Sequence, residues 1–428
     1  MKTIVDLHIH SRFARACSKS LNPENLAYWA QIKGVDVLGT GDFTHPAWLA
    51  ELRERLEPAE SGLFLLRKGF EPSERTVFPI ENIDIYKTRF VLQSEVSCIY
   101  RKNDKTRRVH LLILAPSFEA VEKINSALTL RGCNIKADGR PILGMDAKEI
   151  VKIVLDADPS CMVIPAHAWT PWFAVFGSKS GFDSLQECFD EMTPHIYAIE
   201  TGLSSDTLMN HQVASLDHIT LLSNSDAHSA PNIAREANVM ELANVSYGAI
   251  CDVIKTRKNF LYTVEFFPEE GMYHIDGHRL CKFSCEPSET FKRKGICPVC
   301  KKELTIGVLN RVNSLASRKY GFVPSGAVAC RRLVGLDDII CSALGVKGKK
   351  SKAVLSEYQN LIQNFGSELN ILLESNLNEM NGQCEPRIIE GISRVRDGRV
   401  SISPGFDGQY GKVSVFSESE SIRQESLL

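Results

Sequence analysis

Residues 1 to about 265 alternate short apolar segments with amphipathic ones, and this alternation restricts the possible folds more than any other feature. Segments such as PENLAYWAQIKG, PAWLAELRERL and AKEIVKIVLDAD have the pattern of helices. Repeated strand–helix units predict a parallel sheet or barrel covered by helices, and seven strands in this length favour a barrel. The predicted strands are TIVDLHIH, VDVLGTGD, RFVLQSEVSC, VHLLILAP, CMVIPAHAW, IYAIETG and ITLLSNSDAH.

Side chains that bind metals stand at the ends of these predicted strands. The carboxyl ends of barrel strands share one face, and that face carries the active site. A single histidine at a strand end is more often structural, but two His-x-His or Asp-x-His pairs and further imidazoles and carboxylates favour a site for Zn, Mn or Fe. The candidate ligands are His8, His10, Asp42, Glu95, His110, His167, Asp226 and His228, of which His110 begins its predicted strand.

Four of the 13 cysteines form a cluster with the spacing C-x3-C-x11-C-x2-C. Two short spacings separated by a loop predict a closed tetrahedral site for structural Zn, at Cys281, Cys285, Cys297 and Cys300. Five basic residues lie in and after the loop, which suits nucleic acid, although zinc modules also serve as purely structural elements. These residues are Lys292, Arg293, Lys294, Lys301 and Lys302.

Composition excludes some classes of protein. The net charge is −2, so a nucleic-acid-binding surface must be a local patch. No apolar run is long enough to cross a bilayer, and we expect no membrane partner. The first residues, MKTIVDLHIH, run directly into a predicted strand without a signal peptide, so we expect a cytoplasmic protein with reduced thiols.

The 428 residues predict more than one domain. We expect a barrel over 1–265, a four-cysteine zinc module over 266–310 and a mainly helical, DNA-binding region over 311–411. Within that region, RIIEGISRVRDGRVSISPGFDGQYG is predicted to be a small β element with a turn at Asp397–Gly398. Residues 412–428 are predicted to be a polar, disordered tail.

The strand-end motifs resemble those of the PHP (polymerase and histidinol phosphatase) family over about residues 1–265. The resemblance implies an α/β fold, a distorted, TIM-like (β/α)7 barrel, that hydrolyses phosphate esters with two or three divalent metals (Zn, Mn or Mg). One histidine that some relatives carry is absent here, where the chain reads ARACS. The implied ligands are His8, His10, Glu95 and Asp226 for the first, catalytic metal, Glu95, His110 and His167 for the second, and Asp42 and His228 for the third.

The order of the modules is similar to that of the endonuclease Q family over nearly the whole chain apart from the polar tail. The barrel is followed by EEGMYHIDGHR, by the cysteine module with GICPVC and LTIGVLNRV, and by a helical region ending in SPGFDGQYG. The resemblance implies a DNA repair endonuclease that cuts duplex DNA 5′ of deaminated bases (uracil, hypoxanthine, xanthine) and abasic sites by metal-activated water. The alternatives are a phosphomonoesterase of the histidinol-phosphatase type and a non-catalytic DNA-binding protein.

Candidate substrate-binding residues follow two of the motifs. Arg12, Arg15 and Lys19 are placed to contact phosphate, although solvated charges are an equal alternative. After His167, three aromatic residues are candidates for stacking on an extruded base and two polar residues for contacting it, with core packing as the alternative. They are Trp169, Trp172, Phe173, Ser178 and Lys179. The C-terminal RQESLL partly matches a sliding-clamp peptide but lacks its aromatic pair.

Overall fold

The computed structural model of the protein describes residues 1–346, 348–417 and 420. The helices in chain order are α1 (Pro23–Lys33), α2 (Pro46–Arg55), α3 (Glu74–Val77), α4 (Phe118–Leu130), α5 (Ala147–Ala157), α6 (Leu185–Phe189), α7 (Thr207–Asn210), α8 (Tyr247–Thr256), α9 (Pro287–Lys292), α10 (Val308–Leu315), α11 (Leu336–Leu344), α12 (Lys352–Phe365), α13 (Glu368–Leu373) and α14 (Pro386–Arg396).

The strands are short, apart from two long ones that form a hairpin. They are β1 (Lys2–Asp6), β2 (Val37–Gly39), β3 (Leu56–Pro58), β4 (Phe64–Leu66), β5 (Arg89–Lys102), β6 (Lys105–Ala115), β7 (Ile142–Leu143), β8 (Met162–Pro165), β9 (Ala198–Glu200), β10 (Thr220–Leu222), β11 (Ala237–Glu241), β12 (Phe260–Glu265), β13 (Asp276–His278), β14 (Phe283–Cys285), β15 (Ala329–Arg332), β16 (Ser401–Ser403) and β17 (Lys412–Ser414).

Seven of these strands form a distorted barrel. Strands β1, β2 and β5 are parallel neighbours, β6 lies antiparallel between β5 and β8, and β9 and β10 are parallel to each other. A parallel bridge between Ile9 and Ala227 joins the segment after β1 to the segment after β10. All seven predicted strands are therefore present, and the predicted PHP-like α/β barrel is confirmed.

The antiparallel direction of β6 explains the position of His110. The strand begins at Lys105, four residues before the predicted segment VHLLILAP, because it forms a hairpin with β5 in which Ser97 pairs with His110. Glu95 stands two residues before Ser97 on β5. His110 therefore lies beside the carboxylate of a neighbouring strand, although it stands in the middle of its own strand.

Helix α1 shows how local sequence sets the element boundaries. The Asn22 side chain accepts a hydrogen bond from the backbone N–H of Asn25, Pro23 occupies the first turn, and Gly34 ends the helix at φ 88°. A side chain at Gly34 would also collide with Ser367, because its Cβ would lie 2.3 Å from the Ser367 hydroxyl oxygen. The end of α1 is thus closely packed against the C-terminal region.

The C-terminal region is joined to the barrel by a strand and by a buried charge. Strand β15 extends the barrel sheet parallel to β12, with Tyr262 opposite Ala329. At the other side of the contact, the buried Glu368 accepts hydrogen bonds from Lys33 of α1 and from Tyr358 of α12. Apolar residues of α11, α12 and α14 are continuous with the barrel core.

Two expectations for the C-terminal part are wrong. The segment predicted to be a β element begins instead with α14, and Asp397–Gly398 ends this helix rather than turning a hairpin. Its apolar residues recur at helical spacing, with Ile388, Ile392 and Val395 buried. The predicted tail begins too early, because β17 pairs with β16 and Phe416 is buried. The RQESLL peptide lies outside the described residues.

Within the described ranges, the structure contains no helix long and apolar enough to cross a membrane.

Candidate metal centre and zinc module

The two short motifs of the sequence meet at one end of the barrel. The backbone N–H of His10 donates to the carbonyl oxygen of Ala227 at 3.0 Å, which places the His8–His10 segment beside the Asp226–His228 segment. His8 and His10 are completely buried. Two motifs more than 200 residues apart in the chain therefore form one site.

The first group of ligands contains two imidazoles and two carboxylates. One nitrogen or oxygen atom from each of His8, His10, Glu95 and Asp226 lies within 4.8 Å of the others. The His10 Nε2 atom is 3.1 Å from Asp226 Oδ1 and 3.3 Å from Glu95 Oε2. The buried Nε2 atom of His8 has no hydrogen-bond partner among the residues that the structure describes. A buried lone pair without a partner fits a metal ligand, so these residues suit a divalent cation.

The second group shares Glu95 with the first. Glu95 Oε1 lies 2.8 Å from His110 Nδ1 and 3.1 Å from His167 Nε2, and the two imidazole nitrogens are 3.1 Å apart. Because one carboxylate belongs to both groups, Glu95 has the position of a bridge between two adjacent metals. The structure thus brings together the ligands expected for the first and second metals.

Carboxylates behind the ligands orient two of the imidazoles. Both oxygens of Glu200 lie 3.0 Å from His8 Nδ1, and Asp42 Oδ1 lies 3.0 Å from His10 Nδ1. Such contacts select the tautomer in which Nδ1 carries the hydrogen and Nε2 is left free for a metal. Glu200 stands at a strand end in the sequence, but only the fold reveals that it supports His8.

Charge within the site sets the protonation states. Burial opposes ionisation of Glu95, yet His110 and Arg140 hold the pKa of the carboxyl well below its usual range. Burial lowers the pKa of His110 to about 4, so its imidazole is neutral at pH 7. An ionised carboxylate beside a neutral imidazole is the combination that binds a divalent metal.

Asp42 and His228 lie outside the two ligand groups, and a third metal at these residues stays a prediction. Its Oδ2 accepts hydrogen bonds from the backbone N–H of Ser11 at 2.6 Å and from the Ser11 hydroxyl at 2.7 Å, while Oδ1 faces His10. His228 Nδ1 donates to the carbonyl oxygen of Asp226 at 2.9 Å. These contacts fix the Asp42 carboxylate against the His10 ring, so Asp42 supports His10.

Three residues of the site have backbone angles that L-amino acids rarely adopt. The φ angles are 42° at Asp42, 29° at His167 and 46° at Asp226. Each of these residues follows a barrel strand, where the chain must turn sharply to aim its side chain into the site. Gly202 permits this at His167, since a Cβ there would lie 2.9 Å from the His167 Cα.

The predicted zinc module differs from the sequence-based expectation in one candidate ligand. The group that lies within 4.8 Å consists of His278, Cys281, Cys297 and Cys300. The Sγ atom of Cys285 is instead 3.2 Å from the Thr290 hydroxyl. In the hairpin of β13 and β14, Cys285 pairs with Asp276, away from the turn, whereas His278 adjoins the turn that carries Cys281. The expected four-cysteine set is therefore corrected to three cysteines and a histidine.

The candidate substrate residues differ in their burial and in their hydrogen-bond partners. Trp169 is buried and donates to Asn210 at 2.7 Å, so it is a core residue and not a stacking platform. The Ser178 hydroxyl donates to the carbonyl oxygen of Ile306, and the Arg12 guanidinium donates to Glu51 at 2.6 Å. The other five remain accessible: Trp172 and Phe173 are half-buried, and Arg15, Lys19 and Lys179 are exposed.

Arg140 is a site residue that the sequence did not reveal. Its Nη1 donates to Glu95 Oε2 at 3.1 Å. The residue lies in the irregular segment between α4 and β7 and outside every motif, so no pattern of spacing marks it.

Comparisons with known proteins agree with this architecture. Residues 335–399 match the family described as MJ0043 C-terminal domain. An uncharacterised protein of Methanocaldococcus jannaschii, MJ0043, is 31% identical over 257 residues, which are 58% of this chain and 31% of that protein. The chain thus spans less than a third of the length of this relative.

Two solved structures are similar over almost the whole chain. The lesion-specific endonuclease PfuEndoQ from Pyrococcus furiosus is 28% identical, with a TM-score of 0.83 and 99% of each chain covered. A complex of endonuclease Q with a 27-mer duplex substrate that has an abasic lesion at the active site is 29% identical, with a TM-score of 0.83 and 98% of each chain covered. The chain is therefore similar to endonuclease Q from end to end, and the resemblance predicted from its sequence is confirmed.

Proposed function

We propose that the chain is a metal-dependent, lesion-specific DNA endonuclease that acts in repair. It hydrolyses the phosphodiester on the 5′ side of uracil, hypoxanthine, xanthine or an abasic site and leaves a 3′-hydroxyl and a 5′-phosphate. The observation that carries the proposal is the similarity, over 98% of the chain, to an endonuclease Q bound to duplex DNA with an abasic lesion at its active site.

The ligand geometry supports hydrolysis at a phosphate. His8, His10 and Asp226 would hold one divalent metal, His110 and His167 a second, and Glu95 would contact both. Bound there, the metals would lower the pKa of water and neutralise the charge of the phosphate oxygens. Glu200 and Asp42 keep His8 and His10 in the tautomer that binds metal.

Aromatic residues beside the site are suited to contact an extruded base. Trp172 is half-buried, and its ring meets the ring of Tyr273 edge-on at 5.7 Å between centroids. Phe173 lies next to His110, with 4.8 Å between the ring centroids. An extruded base needs a flat apolar surface of this kind close to the metal centre. We therefore assign the base-binding wall to Trp172 and Phe173, and not to the buried Trp169.

The zinc module supplies basic side chains for the DNA backbone. Lys292, Lys294, Lys301 and Lys302 of this module are partly or fully exposed, whereas Arg293 pairs with Glu289 at 2.7 Å. Since the net charge of the chain is −2, such a local cluster is the expected form of a DNA-binding surface.

The test uses labelled duplexes that carry one uracil, hypoxanthine, xanthine or abasic site, incubated with the protein and Mg, Mn or Zn. We expect a single cut on the 5′ side of the lesion and none in the undamaged duplex. Hydrolysis of a sugar phosphate without any cutting of DNA would contradict the proposal and favour a phosphomonoesterase.

The matched control is Asp226→Asn, which keeps the size of the side chain and removes its charge. We expect this variant to lose cutting while it retains the zinc of the separate module. Cutting at the wild-type rate would contradict the assignment of the site.

A further inference from the structure

Arg140 lies against the carboxylate that both metal-ligand groups share. Its Nη1 donates to Glu95 Oε2 at 3.1 Å, and its side chain is 26% exposed. Glu95 itself is completely buried. The guanidinium thus reaches from the protein surface to the centre of the site.

The segment that carries Arg140 is fixed by several contacts. The backbone N–H of Arg140 donates to Asp138 at 3.0 Å, and that of Gly139 donates to the carbonyl oxygen of Phe13 at 3.0 Å. A side chain at Gly139 would collide with Asp42, because its Cβ would lie 2.5 Å from Asp42 Oδ2. The segment is therefore packed directly on the carboxylate that supports His10, and these contacts fix the backbone position of Arg140.

The guanidinium keeps its charge and most of its donors. A guanidinium is cationic at any pH of interest. An arginine side chain has five N–H donors. The structure gives this one a single acceptor in the described part of the chain, Glu95. Several N–H groups of a partly exposed, immobilised cation are thus left for a ligand.

Through Glu95, which both ligand groups share, Arg140 lies beside the two groups of candidate metal ligands. A phosphodiester that enters the site would therefore meet Arg140 as a fixed positive charge beside the two ligand groups. Arginine binds phosphate well, because its planar fork matches two oxygens.

We propose that Arg140 binds a non-bridging oxygen of the phosphate that is cut, while Glu95 holds its guanidinium in place. The inference rests on the proposed function, and it names a substrate-binding residue for the same site. The contact would strengthen as negative charge develops on the phosphate oxygens, so its removal should slow the reaction and not only weaken binding.

The experiment compares the wild type with Arg140→Gln, Arg140→Lys and Arg140→Ala in the full, metal-loaded chain. Arg53→Gln serves as the control, because Arg53 pairs with Glu122 on the surface. Single-turnover cutting of a duplex with one abasic site should fall about 100-fold in Arg140→Gln and less in Arg140→Lys. Millimolar guanidinium chloride should partly restore cutting by Arg140→Ala, and the metal content should stay at the wild-type value.

A second measurement does not depend on cutting. Inorganic phosphate should raise the melting temperature of the wild type and of Arg53→Gln, and leave that of Arg140→Gln unchanged. Wild-type cutting or phosphate stabilisation in Arg140→Gln would overturn the inference, and so would loss of the barrel metals from that variant. If the wild type fails to cut any lesion, the proposed function fails, and the phosphate measurement still decides the role of Arg140.

Discussion

Asp42 faces the side of the His10 ring that is turned away from the metal ligands, with 3.0 Å between Oδ1 and Nδ1. The change Asp42→Asn keeps the shape of the side chain but weakens this contact. We expect the affinity of the first ligand group for metal to fall about 10- to 100-fold. Chelator competition followed by elemental analysis measures this, with the exposed Asp36→Asn as the control. Equal retention of metal by the two variants would refute the supporting role.

Glu200 supports ligands of both groups. It accepts the Nδ1 hydrogen of His8 and the backbone N–H of His167, each at 3.0 Å. We therefore expect Glu200→Gln to weaken both barrel metals, whereas Asp42→Asn weakens only the first. The number of metals per chain after mild chelation distinguishes the two variants. Glu241→Gln, at an exposed position of β11, is the matched control.

Two variants of the predicted zinc module test whether His278 or Cys285 is the fourth ligand. His278→Ala should release the zinc and lower the melting temperature, because His278 Nδ1 lies 3.5 Å from Cys300 Sγ within the ligand group. Cys285→Ser should retain the zinc, since Cys285 contacts Thr290 instead. Elemental analysis and alkylation mapped by mass spectrometry follow both. Loss of zinc from Cys285→Ser together with its retention in His278→Ala would restore the four-cysteine assignment.

A buried carboxyl next to the barrel sheet predicts how stability depends on pH. Burial and the neighbouring Asp206 raise the pKa of Glu265 from 4.5 to about 8. A carboxyl that is harder to ionise in the folded state binds more protons there than in the unfolded state, so stability falls as pH rises between about 4.5 and 8.

The change Glu265→Gln should flatten this decline, because the amide carries no charge at any pH. Urea denaturation at pH 5, 6.5 and 8 measures the free energy of unfolding. The exposed Glu241→Gln should keep the slope of the wild type. A slope that is the same in Glu265→Gln and the wild type would show that another group controls the decline.

Sequence reasoning identified the ligands that stand at strand ends. His8, His10 and Asp226 lie in two short motifs, and the register of a barrel strand fixes which side such residues face. His110 could be named but not explained, since its position depends on the antiparallel pairing of β6 with β5. That pairing is a long-range contact, which local periodicity does not report.

Residues whose role depends on a long-range contact with another side chain could not be identified from the sequence. Arg140 belongs to no repeated pattern, and its role follows from a single contact with Glu95 across 45 positions of the chain. Cys285 was misassigned for a similar reason. The spacing of the cysteines does not show which of them faces the metal, because this depends on the register of the hairpin. The predicted turn at Asp397–Gly398 was wrong because a turn dipeptide was weighed above the helical spacing of the preceding apolar residues, and the β element begins only at β16.

The pairing of β15 with β12 bears on how the protein can be divided. Strand β12 has β11 on one side and β15 on the other. A chain cut after Glu265 would expose the edge of Tyr262–Glu265 that pairs with β15, while the opposite edge would remain paired with β11. Exposed strand edges pair with strands of other molecules and cause aggregation. We therefore expect the barrel to aggregate when it is produced without β15, the strand that follows the cysteine module in the chain.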